Sequence, residues 1–163
     1  MLSSEKFEVC IEGSHGIVVP DHIATPFIEQ NHKRVMLIAF YKDNSLTFHG
    51  ALHKVKGRYM ISFGKRYQKD LGVSASSFFE LQLFEDTTEY GVEMPEEFQA
   101  VLDSDPEAAD IFNSFSDGKK RTLIYFVLRF KNSQTRIDKS LVIAENIKMG
   151  ITDQKDIVKP HSR

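Results

Sequence analysis

The chain has 163 residues, 41% of them apolar and 11% aromatic, with thirteen Phe, no Trp and one Cys. That composition supplies a packed core without staples, in one domain or in a small domain with an appended unit. The lone Cys10 excludes an internal disulfide framework and points to a reducing, cytoplasmic compartment, while a net charge of −2 argues against general nucleic-acid affinity.

Met1 to Lys6 lacks the apolar stretch of a signal peptide. Uncharged apolar runs such as Leu123 to Leu128 are far short of the ~20 residues that span a bilayer. A protein without membrane segments is expected. Phe7, Val9 and Ile11 then alternate at period two, and Gly13-Ser14-His15-Gly16 breaks the run. Lys33 to Tyr41 (KRVMLIAFY) predicts a strand buried on both faces or nearly so. Turn chemistry at Asp43-Asn44-Ser45 leads into a return strand of Leu46, Phe48 and, past Gly50, Leu52. Lys56-Gly57 turns again before Tyr59, Ile61 and Phe63. Phe79, Leu81 and Leu83 alternate in a last strand that ends at Glu85-Asp86.

Sliding the sequence on itself by 44 residues exposes a repeat of hydrophobic pattern. Ile17-Val18-Val19-Pro20 lies over Ile61-Ser62-Phe63-Gly64, and Ile23 and Phe27 meet Tyr67 and Leu71. Val35, Leu37 and Ala39 meet Phe79, Leu81 and Leu83. Each copy reads strand, tight break, one or two helical turns, loop, strand. Two such units about a pseudo-twofold axis bury each other's apolar faces, which one hairpin alone does not do. A closed or nearly closed barrel with short helices at its ends is the expected result.

Past Gly91 the periodicity turns helical. Met94-Pro95-Glu96-Glu97 opens a helix with Pro at its start and Glu in the first turn, and Phe98, Val101 and Leu102 form its stripe. Asp105 caps a second helix whose Ala109, Phe112 and Phe115 point inward. A third is expected over about 118–131, with Leu123, Phe126, Val127 and Phe130 on one face. Asn132-Ser133 caps a fourth, where Ile137, Leu141, Ala144 and Ile147 continue to Gly150 as the residue after its end. The polar segment from 151 to 163 is expected to fray.

No P-loop, GxGxxG, GxSxG, HExxH or paired CxxC occurs, so no catalytic residue, cofactor or metal is assigned. On one strand, His49 and His53 would sit ~13 Å apart, too far for one ion. Cys10 between Val9 and Ile11 reads as a packing residue. Glu96 and Glu97 read as helix-start residues rather than an acid pair. Lys65, Arg66 and Lys69 flank the second break, either lining a groove for phosphate or carboxylate or forming a solvated helix face.

Charge is segregated in the second half. Eleven acidic residues and no Lys or Arg lie between Glu85 and Asp117, whereas eight basic residues against Asp138 and Glu145 lie between Lys119 and Lys148. Helical pairs attracting each other would account for this, as would a basic face aimed at an anionic partner. Arg121, Lys131, Thr135 and Arg136 fall at the end, junction and start of adjacent helices. Exposed N–H groups at a helix start attract anions, and an Arg there requires a partner of its own. That partner is an internal carboxylate such as Asp110 or Glu107, a ligand, or another chain.

The run from Met94 to Gly150, with its Pro-led acidic helix, its Asp-Pro helix start, Arg121 and the Phe130-Lys131…Gln134-Thr135-Arg136 signature, resembles the C-terminal region of the YdeI/OmpD-associated (bacteriocin-protection-like) family. Phe130 stands where that signature has Ala. Residues 5–88 resemble the small β-barrel domain that commonly precedes it, with Ser76-Ser77 in place of its Gly-Asp and Gln68 in place of a basic residue. The unit ISFGKRYQKDLGVSASSFFELQLFED is similar to the swapped-hairpin module of AbrB/MazE-type regulators. These resemblances imply a bacterial α+β protein: a duplicated, swapped-hairpin-like barrel over 5–88, about four helices over 93–150, and a tail over 151–163. They also imply a loose link to stress or antimicrobial-peptide tolerance, and no reaction. The function expected is a non-enzymatic binding or interaction module with no membrane partner, contacting an anionic small molecule or a protein through the groove between barrel and tail. The alternatives are a nucleic-acid-binding regulator and an enzyme of unidentified reaction.

Overall fold

The computed structural model describes residues 1–161, so Ser162 and Arg163, the end of the segment expected to fray, lie outside it. The protein is α+β and divides into two compact units, Met1–Thr87 and Thr88–Arg163. In the first unit the elements are β1 (Phe7–Cys10), β2 (Gly16–Val19), α1 (Asp21–Glu29), β3 (Arg34–Tyr41), β4 (Asn44–Ala51), β5 (His53–Val55), β6 (Arg58–Ser62), α2 (Lys65–Leu71) and β7 (Phe78–Glu85). The strands form two antiparallel sheets, ordered β1-β7-β3-β4 and β2-β6-β5.

Alternation decides which residues enter the core. Val35, Leu37 and Ala39 of β3 are fully buried beside Leu81 and Leu83 of β7, and Ile17, Val19 and Ile61 line the smaller sheet. Each of these Val, Leu and Ile side chains contributes ~1.5–3 kcal/mol by leaving water. Phe63 sits among Phe48, Phe79 and Tyr67 at centroid distances of 5.2, 5.4 and 5.7 Å. The strand expected to be buried on both faces is buried on one, since Met36, Ile38 and Phe40 stay half-buried.

The expected barrel is not closed among the described residues. The chain leaves one sheet at Ala51, passes through Leu52 and enters the other at His53, leaving β1, β4, β2 and β5 as edges. Packing between the sheets takes the place of closure. A Cβ on Gly50 would lie 3.1 Å from Ile61 Cγ1, so any larger residue would push Ile61 back by a few tenths of an ångström. The same break puts His49 and His53 on different strands of different sheets. His49 Nδ1 lies 3.1 Å from Asp86 Oδ2, whereas exposed His53 sits 3.2 Å from the Ala51 carbonyl.

A strand–helix–strand order occurs twice, as β2-α1-β3 and β6-α2-β7. In the antiparallel pairings Ile17 faces Ile61 and Ile38 faces Gln82, residues 44 apart in each case.

The second unit holds α3 (Glu96–Asp103), α4 (Pro106–Ser114), α5 (Asp117–Leu128), α6 (Ser133–Lys148) and α7 (Gln154–Ile157). Five helices therefore stand where four were expected, because part of the segment expected to fray folds back as α7. Ile157 is fully buried, which repays ordering the turn. Asp105, Ser116, Asn132 and Asp153 cap α4, α5, α6 and α7 through their side chains. Phe98 and Phe112 pack edge to face at 5.4 Å over Leu123, Ile124, Val127, Ile143 and Ile147.

Two helix faces are rotated from their expected positions. On α5 the buried residues are Leu123, Ile124 and Val127, while Phe126 and Phe130 are half-buried and stack on each other at 5.3 Å. On α6 the buried side is Ser140, Ile143, Ala144, Asn146 and Ile147, with Leu141 48% exposed. A stripe that includes Ser140 and Asn146 is hidden from hydrophobic periodicity. Both find partners: Ser140 donates to the Arg136 carbonyl, and Asn146 donates to the Ile157 and Lys159 carbonyls.

Candidate functional site

The basic residues singled out in the sequence fall into three places. Lys65, Arg66 and Lys69 are exposed on α2. Arg121 lies in the second turn of α5 and donates to the Tyr90 carbonyl at 3.4 Å. It is about 10 Å along the helix from the α5–α6 junction, so it does not join the others. Lys131, Thr135 and Arg136 do meet at that junction.

At the junction most donors are already engaged. Asn132 Oδ1 accepts from the Thr135 N–H at 3.0 Å and lies 3.4 Å from its hydroxyl. Arg136 Nε donates to the Phe130 carbonyl and Nη2 to that of Leu128, tying off the end of α5. Its Nη1 lies 3.7 Å from Glu97 Oε1 on α3. The internal carboxylate is thus Glu97, rather than Asp110 or Glu107. Glu97 is only 9% exposed in its side chain, and Oε1 receives no hydrogen bond. A hydrogen bond from its own backbone N–H, then one from Ser133 and the nearby Arg136, hold its carboxyl below the ordinary value despite burial. Lys131 is exposed and makes no ion pair among the described residues.

A second ion pair links the acidic and basic blocks. Lys148 Nζ on α6 lies 2.7 Å from Asp105 Oδ2 and 3.0 Å from Glu145 Oε1. Lys148 lowers the Asp105 pKa, aided by the Ala108 N–H, and Asp105 and Glu145 raise that of Lys148. Attraction between helices therefore accounts for two of the basic residues. Tyr90 is pushed up, first by burial and then by Glu89.

The least satisfied basic surface lies on α5 and α7. Thr122, Leu123, Phe126 and Arg129 of the α5 segment face Gln154, Lys155, Val158 and Lys159 across a groove of about 390 Å³. Phe126 and Val158 form an apolar floor over the buried Leu123. Arg129, Lys155 and Lys159 are exposed and form a cationic rim. Arg129 stacks over the Phe126 ring at 5.1 Å, and Lys159 has Asp156 at 3.9 Å. Among the described residues, Arg129 and Lys155 have no carboxylate within ion-pair reach. Asp153 accepts from the Lys155 and Asp156 N–H groups and so occupies the start of α7.

The α7 half of this groove escaped the sequence reading because the segment has no helical stripe. A signal was present nonetheless: Asp153 in an N-cap context, followed by Ile157-Val158 at helical spacing. A smaller hollow of about 250 Å³ in the first unit is lined by Leu2, Ser4, His22 and Phe27 among others, with His22 Nε2 3.5 Å from Glu5. No cluster of three His, Cys, Asp or Glu positioned to hold a metal ion occurs among the described residues, and no described helix is long and apolar enough to cross a membrane.

No curated protein matches the sequence at a significant level. The solution structure of PHS018 from Pyrococcus horikoshii is similar to part of the chain, with 13% identity over 52% of this chain and 94% of that one and a TM-score of 0.42. Residues 91–150, the span from just before α3 to the end of α6, match the family model described as Bacteriocin-protection, YdeI or OmpD-Associated.

Proposed function

We propose that the protein is a non-catalytic binding module and that its second unit holds an anionic group. One observation carries this reading: three exposed cations, two of them without a carboxylate partner, surround an apolar groove between α5 and α7. Cations rimming an apolar groove offer an anion both charge and apolar contact, which cations on a flat solvated face do not. The junction residues have a different part. Arg136 and Thr135 are spent on capping and on Glu97, so they brace α3, α5 and α6, while Lys131 remains available for contact. A role in tolerance to antimicrobial peptides is in keeping with the description of the matched family.

The first unit supports a second reading. Its twice-used strand–helix–strand order, with residues 44 apart facing each other, favours a duplicated swapped-hairpin unit. Exposed Lys54, Lys56, Lys65 and Lys69 would supply its basic surface for nucleic acid.

A thermal-shift screen of phosphate, nucleotides, carboxylates and short duplex DNA separates the two. A ligand at 100 times its Kd adds ~2.7 kcal/mol, several degrees for a protein of this size. Small anions that shift wild type but not Lys155→Ala/Lys159→Ala support the groove. A shift with DNA alone that fades in salt transfers the function to the first unit.

A further inference from the structure

We propose that the α5–α7 groove takes a free, single-headed amphiphile: a medium-chain alkyl or aryl carboxylate. Its body would lie on Phe126 and Val158, and its head would meet Arg129, Lys155 and Lys159. This deepens, and rests on, the reading of the second unit as an anion-binding module. The chemistry of the groove selects the class. Its volume of about 390 Å³ is at the small end of the ~300–1,000 Å³ typical of small-molecule sites, which suits a compact ligand. Leu123 is buried beneath the floor, while Phe126 and Val158 are half-buried and expose apolar surface that a hydrocarbon would cover.

A ligand that is all head would leave that floor wet. A polyphosphate would further want converging backbone N–H groups, and those at the start of α7 already bond Asp153. A neutral apolar ligand would cover the floor but leave the rim unanswered. Among the described residues the rim's ion pair is with Asp156, about half exposed and 3.9 Å from Lys159, a pair too weak to neutralise the rim. One anionic head on an apolar body meets both demands. The wall is also preformed: Asn146 bonds the Ile157 and Lys159 carbonyls at 2.7 and 2.6 Å, and Ile157 is fully buried, so α7 stays in place before any ligand arrives.

The test is calorimetric titration of the full chain with butyrate, hexanoate, octanoate and benzoate. Inorganic phosphate, octanol and anionic phospholipid vesicles serve as comparison probes. Affinity should rise about two- to fourfold per added methylene until the groove is filled. The Lys155→Ala/Lys159→Ala variant should bind octanoate about tenfold more weakly. It should also melt where wild type does, because both side chains are exposed. Octanol should bind more weakly than octanoate.

Phosphate binding as tight as octanoate, with no chain-length trend and with loss in the variant, would overturn the amphiphile while leaving the anion site standing. Binding of vesicles but of no free carboxylate would replace the ligand with a lipid surface and overturn the proposal. Octanoate affinity indifferent to the variant would also overturn it. If none of the anions binds, the anion-binding reading fails with it.

Discussion

Replacing Asn146 by Ala should release α7 and with it one wall of the groove. Asn146 is 2% exposed, and its amide donates to two carbonyls, those of Ile157 and Lys159, at 2.7 and 2.6 Å. A neutral hydrogen bond contributes a net ~0.5–1.5 kcal/mol, so losing both costs about 1–3 kcal/mol, with a further penalty if the carbonyls stay buried and dry. They need not stay so. Helix α7 has one turn, one fully buried side chain and one capping Asp153, so it can lift away and return its carbonyls to water. The loss should therefore appear first as local opening and only partly as global instability. Hydrogen exchange of the Ile157 and Lys159 amides, which bond the Asp153 and Asp156 carbonyls, reads this directly. Their protection should fall by one to two orders of magnitude, about 1.4 kcal/mol per decade, while amides in the middle of α6 change much less. Octanoate binding should weaken in step. Unchanged protection at Ile157 together with an unchanged thermal midpoint would refute the claim that Asn146 holds the helix down.

Other outcomes follow from the same structure. Ile143→Ala, at a fully buried position, should cost about 2–5 kcal/mol in denaturant unfolding, whereas Leu141→Ala, 48% exposed, should stay within ~0.5 kcal/mol. The reverse result would restore the helix face expected from periodicity. Gln68→Ala should destabilise the first unit by about 2–4 kcal/mol, because Gln68 bonds the Ser14 and Phe63 carbonyls at 2.9 Å each from a buried position. Stability should also depend on acid. The Asp105 and Glu97 pKa values are depressed, so their contribution is complete above the ordinary carboxylate values and is lost as pH falls through the lower folded ones. Melting between pH 2 and 7 should show this decline below about pH 4.5, shallower in Asp105→Asn. Lys148, whose pKa is raised, contributes fully below its ordinary value of 10.5 and loses that contribution as pH climbs through the folded one.

Local signals in the sequence were sufficient for much of the chain. Alternation placed β1 and β7, a continuous apolar run placed β3, and the side chains of Asp105 and Asn132 marked helix starts, because strand pattern and capping chemistry are written within a few residues. Offset by 44, the strand–break–helix–strand pattern reappears in the order of elements as well. Whether those strands close is a different kind of fact. It depends on where the chain changes sheet, at Leu52, and on the approach of Gly50 to Ile61, a contact between residues eleven apart in sequence.

The candidate site divides the same way. That Arg136 needs a partner follows from its place at a helix start; that the partner is Glu97, on a helix 39 residues earlier, follows only from packing α3 against α6. Leu141 turns outward and Asn146 inward because α6 must also receive α7, whose carbonyls need a donor in a dry place. Periodicity counts apolar residues and is blind to a buried amide. The groove lined by Phe126, Arg129, Lys155 and Lys159 joins residues some thirty positions apart, on one helix with a legible stripe and one without. Residue types and local turns were therefore settled by the sequence, and which of them meet was settled by tertiary packing, since burial and charge pairing are properties of pairs that only a folded chain brings together.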